Sequence, residues 1–105
     1  MPMPASPDTP SLRALAEAFR ALSNPNRLAM YRELLVHHDH SVKSCALQDL
    51  VDRLDIGAPT VSHHTRELVV AGLVEVERSG RYLHCRLNDE MRARLAQFFD
   101  APCGD

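Results

Sequence analysis

The sequence predicts a mainly α domain that carries one small β-hairpin, in the order α-α-α-α-β-β-α. Three observations carry that expectation. Apolar residues recur at helical spacing in successive stretches up to Ala71, strict alternation replaces that spacing between Val74 and Leu87, and helical spacing returns after Asn88. Turn-forming residues separate the stretches at Ser23-Asn24-Pro25, Asp55-Ile56-Gly57 and Ser79-Gly80.

In the first helix Thr9 can cap and Pro10 suits the first turn, where a missing N–H costs nothing. Leu12, Leu15, Ala16, Phe19 and Leu22 are expected on its inner face. Asn24 caps the second helix with Pro25 in its first turn, and Leu28, Tyr31, Leu34 and Leu35 form its buried stripe. His37-His38-Asp39-His40-Ser41 breaks the periodicity and reads as a loop. The third helix is expected from about Ser44 to Leu54, with Leu47, Leu50, Val51 and Leu54 inward, and Gly57 supplies a positive φ in the turn that follows. The fourth opens at Ala58-Pro59-Thr60 and runs to Ala71, stopped by Gly72. Two helices joined by so short a turn form a helix-turn-helix.

A two-residue loop at Ser79-Gly80 would set Arg78 opposite Arg81, Val76 opposite Leu83, Val74 opposite Cys85 and Glu75 opposite His84. Val74, Val76, Leu83 and Cys85 then share the inner face, where Cys85 acts as a small hydrophobe. The last helix begins near Asn88 or Asp89 and stripes Met91, Leu95, Phe98 and Phe99. Residues 1–10 read as a flexible proline-rich arm, 11–99 as the folded domain, and 100–105 as a mobile tail.

The bulk numbers narrow the function classes. A chain of 105 residues is one domain, small enough that pairing with a second copy would help its stability. No apolar run approaches the roughly 20 residues of a bilayer crossing, and Met1 to Pro10 lacks an export signal, so no membrane partner is expected. Cys45, Cys85 and Cys103 are an odd number without a CxxC pair, which points to a reducing compartment and a cytoplasmic protein. No nucleophile elbow, phosphate-cradling glycine loop or complete metal triad is present, so the chain is not expected to be an enzyme.

The net charge of −2 is poor support for nucleic-acid binding, but phosphate attraction is local and screened within about 8–10 Å. The fourth helix supplies the local argument. With Val61 and Leu68 inward, Pro59, Thr60, Ser62, His63 and Arg66 lie toward solvent, and no acid intervenes between Ala58 and Arg66. Short polar and basic side chains on a helix can reach base edges and phosphates in a major groove. Arg78 and Arg81 at the hairpin tip repel one another unless a phosphate backbone or minor groove compensates them. The competing explanation is an ordinary solvated surface.

Three segments, taken in order, sharpen this. Ala21-Leu22-Ser23-Asn24-Pro25-Asn26-Arg27-Leu28, Pro59-Thr60-Val61-Ser62-His63-His64 and Ala71-Gly72-Leu73-Val74 resemble the ArsR/SmtB family of winged helix-turn-helix repressors, over about residues 12 to 99. The resemblance implies a homodimer built from the first and last helices. It further implies a pseudo-palindromic double-stranded DNA operator, released when an inducer binds. It makes 59–71 the reading helix and 74–87 the wing. Thr65 departs from the leucine usual after the histidines, which loosens the packing there.

The family's usual metal sites are missing. Ala46 and Gln48 stand where a Cys-x-Cys pair would, and Met91 and Pro102 replace the histidines of a second site whose acids Asp89 and Asp105 match. A metal or metalloid effector is left to other groups. His37, His38 and His40 are ligand types, or a solvated loop. Cys45 and Cys103 are candidate sensors of thiophilic or oxidising signals, or plain cysteines. His63 and His64 diverge by about 100° on a helix and make a poor metal pair. A winged-helix module that binds protein rather than DNA is the alternative function.

Overall fold

The computed structural model describes residues 8–37 and 45–100, with side chains from residue 12 onward. Helix α1 spans Asp8–Leu22, α2 Pro25–Val36, α3 Leu47–Leu54, α4 Ala58–Val70 and α5 Asp89–Asp100. Strands β1 (Cys45–Ala46), β2 (Val74–Ser79) and β3 (Tyr82–Leu87) form one antiparallel sheet in the order β1-β3-β2. The expected order is present with one strand added. Helix α1 already includes Asp8, ahead of the expected cap at Thr9, and α5 runs on to Asp100.

Local chemistry accounts for the helix ends. Asn24 Oδ1 accepts hydrogen bonds from the backbone N–H groups of Asn26, at 2.8 Å, and Arg27, at 3.1 Å, so two orphan donors at the start of α2 are satisfied. Asn88 does the same for α5, accepting from Met91 N–H at 3.1 Å. Gly72, at φ 80°, closes α4 as expected. The turn between α3 and α4 is made differently from expectation. Asp55 takes the left-handed conformation, at φ 54° and ψ 44°, while Gly57 sits at φ −59° as the residue before α4. Asp tolerates that region because its short side chain is polar.

The core is one cluster to which every helix contributes, together with Cys45 of β1 and the inner face of the hairpin. On α1 the buried residues are Leu15, Ala18 and Ala21, whereas Leu12 and Ala16 are exposed. On α2 they are Met30, Tyr31 and Leu34, leaving Leu28 51% and Leu35 41% exposed against expectation. The small residues Ala18 and Ala21 of α1, and Met30 of α2, take inward places, so each buried stripe is rotated from the one that residue size alone suggests.

The hairpin register also differs. Val74 pairs with Leu87, Val76 with Cys85, Arg78 with Leu83 and Ser79 with Tyr82, so Gly80 and Arg81 form the loop. Gly80, at φ 64°, is the first central residue, the position that a type II′ turn reserves for glycine. The shift is by two residues, so Val74, Val76 and Cys85 keep the inner face that alternation assigned them. The expected opposition of Arg78 to Arg81 is absent, and His84 faces Glu77 rather than Glu75. Cys45, expected at the start of a helix, instead lies in β1 opposite Cys85.

Candidate nucleic-acid interface

Helix α4 presents the face that its sequence implies. Val61, His64, Thr65 and Leu68 are buried, and Pro59, Thr60, Ser62, His63 and Arg66 are exposed. The hydroxyl of Thr65 donates to Val61 C=O at 2.7 Å, so the polar residue in a leucine's place is satisfied within its own helix. The first turn of α4 carries no acid, and its free N–H groups add to the positive potential there.

The hairpin completes the surface. Its outer-face acids Glu75 and Glu77 are both bound by Arg86, at 3.1 and 3.0 Å. Arg66, Arg78 and Arg81 have no ion-pair partner among the described residues. Their charge is available to an anion outside the chain. Ser62, Arg78 and Arg81 line one groove of about 290 Å³ between the helix-turn-helix and the hairpin. Pro59, Thr60, His63 and Arg66 lie on the exposed face of α4 but do not line that groove. Two residues of the groove were not anticipated: Gln48 at the start of α3 and Tyr82, 54% exposed, beside the turn. An exposed aromatic next to Gly80-Arg81 was the available signal for Tyr82. Gln48 offered none, because α3 was expected to begin earlier.

The candidate sensing residues separate. His37 Nε2 lies 3.2 Å from Glu33 Oε1 and against the Arg53 guanidinium, where a cation already occupies the space a metal would need. His38, His40 and Cys103 lie outside the described residues. Cys45 is buried, and burial first, then the Asp49 carboxylate, pushes its thiol above the ordinary range. Among the described residues no group of three or more His, Cys, Asp or Glu side chains could hold a metal ion, and no helix is long and apolar enough to cross a membrane.

Comparison with known proteins agrees with this architecture. A family profile described as a helix-turn-helix domain matches residues 22–77. The HTH-type transcriptional repressor SmtB of Mycobacterium tuberculosis is 38% identical over 92 residues, covering 88% of this chain and 64% of that protein. This chain therefore spans just under two thirds of that relative's length. The uncharacterized HTH-type transcriptional regulator YbzH of Bacillus subtilis is 30% identical, covering 78% of this chain and 91% of its own. The solution structure of Mb0332 from Mycobacterium bovis, described as a homodimeric winged helix-turn-helix DNA-binding domain, superposes with a TM-score of 0.70 at 24% identity. It covers 95% of this chain and 87% of that one.

Proposed function

Because this chain belongs to the ArsR/SmtB family of winged helix-turn-helix regulators, we propose that it is a homodimeric repressor that binds a two-fold symmetric DNA operator and leaves it when an inducer arrives. One observation carries the reading: an exposed face on α4 that carries no acid from Ala58 to Arg66, beside two arginines on the hairpin without ion-pair partners among the described residues. A helix about 10–12 Å across fits a major groove about 12 Å wide. Thr60, Ser62, His63 and Arg66 would meet base edges and phosphates there, with Pro59 opening the helix. Arg78 and Arg81 would meet the flanking backbone or minor groove.

A second copy is supported by apolar surface on the first and last helices. Phe19 of α1 packs edge-on against Phe98 and Phe99 of α5, with both pairs of ring centroids 5.5 Å apart. Phe98 is nevertheless 49% exposed, Phe99 72% and Leu12 54%. A contiguous apolar surface of this kind is what an isologous interface covers.

The test begins by selecting duplexes from a random pool with the full chain and measuring affinity against salt. Affinity should fall steeply with salt on a two-fold symmetric site. Arg66→Ala should weaken binding with the dimer intact, and Arg81→Ala should lower the salt slope by about one. Absent or salt-insensitive binding would replace this reading with a module that docks on protein.

A further inference from the structure

The α1–α2 corner touches the reading helix through one side chain. Arg27, in the first turn of α2, donates from Nε to Ala21 C=O at 2.6 Å, a carbonyl in the last turn of α1. Its Nη1 lies 3.3 Å from Nδ1 of His64 on α4, and its backbone N–H is held by Asn24. Three helices thus meet at one guanidinium. Guanidinium has donors and no acceptor, so the contact requires a bare Nδ1 and the proton on Nε2. His64 is 8% exposed, and its partner is a permanent cation.

We propose that Arg27 and His64 form a latch that fixes the angle of α4 against the end of α1, so that α4 keeps its duplex-binding pose only while His64 is neutral. The proposal rests on α4 being the DNA-reading helix and α1 part of the dimer seam. In that arrangement the pose of each α4 relative to its own α1 sets the spacing of the two reading helices. That spacing must match half-sites about 34 Å apart. Arg27 and His64 are positioning residues; neither reaches DNA.

The charges around His64 agree in sense. Burial lowers its pKa most, then Arg27 from α2, then His63 on its own helix, while Glu67 of α4 opposes them. Glu17 and Arg20 of α1 line the adjoining cleft of about 320 Å³ with Arg27 and Glu67. Protonation at Nδ1 would set two cations against each other and break the latch. The exposed His63 is retained in a variant changed only at His64, so such a variant separates the two histidines.

The experiment measures affinity for the selected duplex at about pH 7.5 and about pH 5.5, with dimerisation and melting temperature followed alongside. His64→Leu and Arg27→Met should each bind about tenfold more weakly at the higher pH, and the double variant no more weakly than either. Asparagine places Oδ1 where Nδ1 stood and does not titrate. His64→Asn should therefore bind within about twofold of the wild type at the higher pH and lose the wild type's fall of about tenfold in acid. If His64→Leu fails to fold, the Asn profile decides. Equal affinity in the Leu and Met variants, or an Asn profile that tracks the wild type, overturns the latch while leaving the DNA reading intact. A wild type that binds no duplex overturns both.

Discussion

Adjacent histidines on α4 live in different surroundings because a helix turns successive side chains about 100° apart. His63 faces solvent and His64 packs inward on Arg27. Their divergence was legible in the sequence; the partner of His64 was not, because Arg27 lies 37 residues away and only packing brings it near. Cys85 shows the reverse. Alternation placed it inward, and the structure buries it completely, with its thiol pushed from 9.0 up to about 12, first by burial and then by Cys45. A raised thiol pKa means that the folded chain holds the proton longer than the unfolded one. Its contribution to stability is therefore complete below pH 9.0 and fades as pH climbs toward about 12. Urea titrations between about pH 8 and pH 10.5 should show a decline that Cys85→Ala lacks. An identical slope in both proteins would mean the thiol ionises freely. At neutral pH maleimide should label Cys85 at least about a hundredfold more slowly in the folded chain than in the unfolded one.

At the scale of elements, end signals served better than faces. Asn24-Pro25 opens α2 and Gly72 closes α4 where the sequence put them. The cap at Asn24 satisfies two backbone donors, so Asn24→Ala should cost about 1 kcal/mol by denaturant unfolding, with an unchanged m-value. A loss below about 0.3 kcal/mol would mean that Arg27 and the Pro25 turn hold that corner without the cap. On α1 and α2 Leu15, Tyr31 and Leu34 are buried as expected, with Phe19 and Leu22 packed against the core. The edges of both stripes differ because small residues take inward places that size does not mark. Ala18 and Ala21 face the core, and Leu28 and Leu35 do not. The hairpin kept its inner face and moved its register, since alternation has period two and cannot distinguish a shift by two residues. The glycine in its turn decided that: Gly80 takes the first central place, so Arg81 enters the loop and Arg78 meets Leu83.

For the whole molecule, the remaining exposed apolar surface is the quantity to test. Phe99 is the most exposed of its aromatic cluster, so a carboxylate there costs the isolated fold little and an interface much. Phe99→Glu should leave the far-UV spectrum unchanged and shift sedimentation from dimer to monomer at about micromolar concentration. Operator affinity should fall with it, because one reading helix makes half the contacts. A dimeric Phe99→Glu protein would place the seam elsewhere. Arg78 and Arg81 line a groove with residues of α3, α4 and the hairpin and none of α1 or α5, so pairing through α1 and α5 should leave them free for a duplex.

The order of the helices and the hairpin, the helix ends at Asn24 and Gly72, the inward places of Val74, Val76 and Cys85 and the exposed row on α4 follow from periods and turn residues read along the chain, because those are short-range constraints. Contacts between distant segments do not follow. The β1–β3 pairing that brings Cys45 to Cys85, the groove joining Ser62 to Arg78 and Arg81, and the seat of His64 on Arg27 each needed the packed molecule. Many partners satisfy a local pattern equally well. Only the requirement that one core fill its volume without large voids, while most buried polar groups find a mate, selects among them.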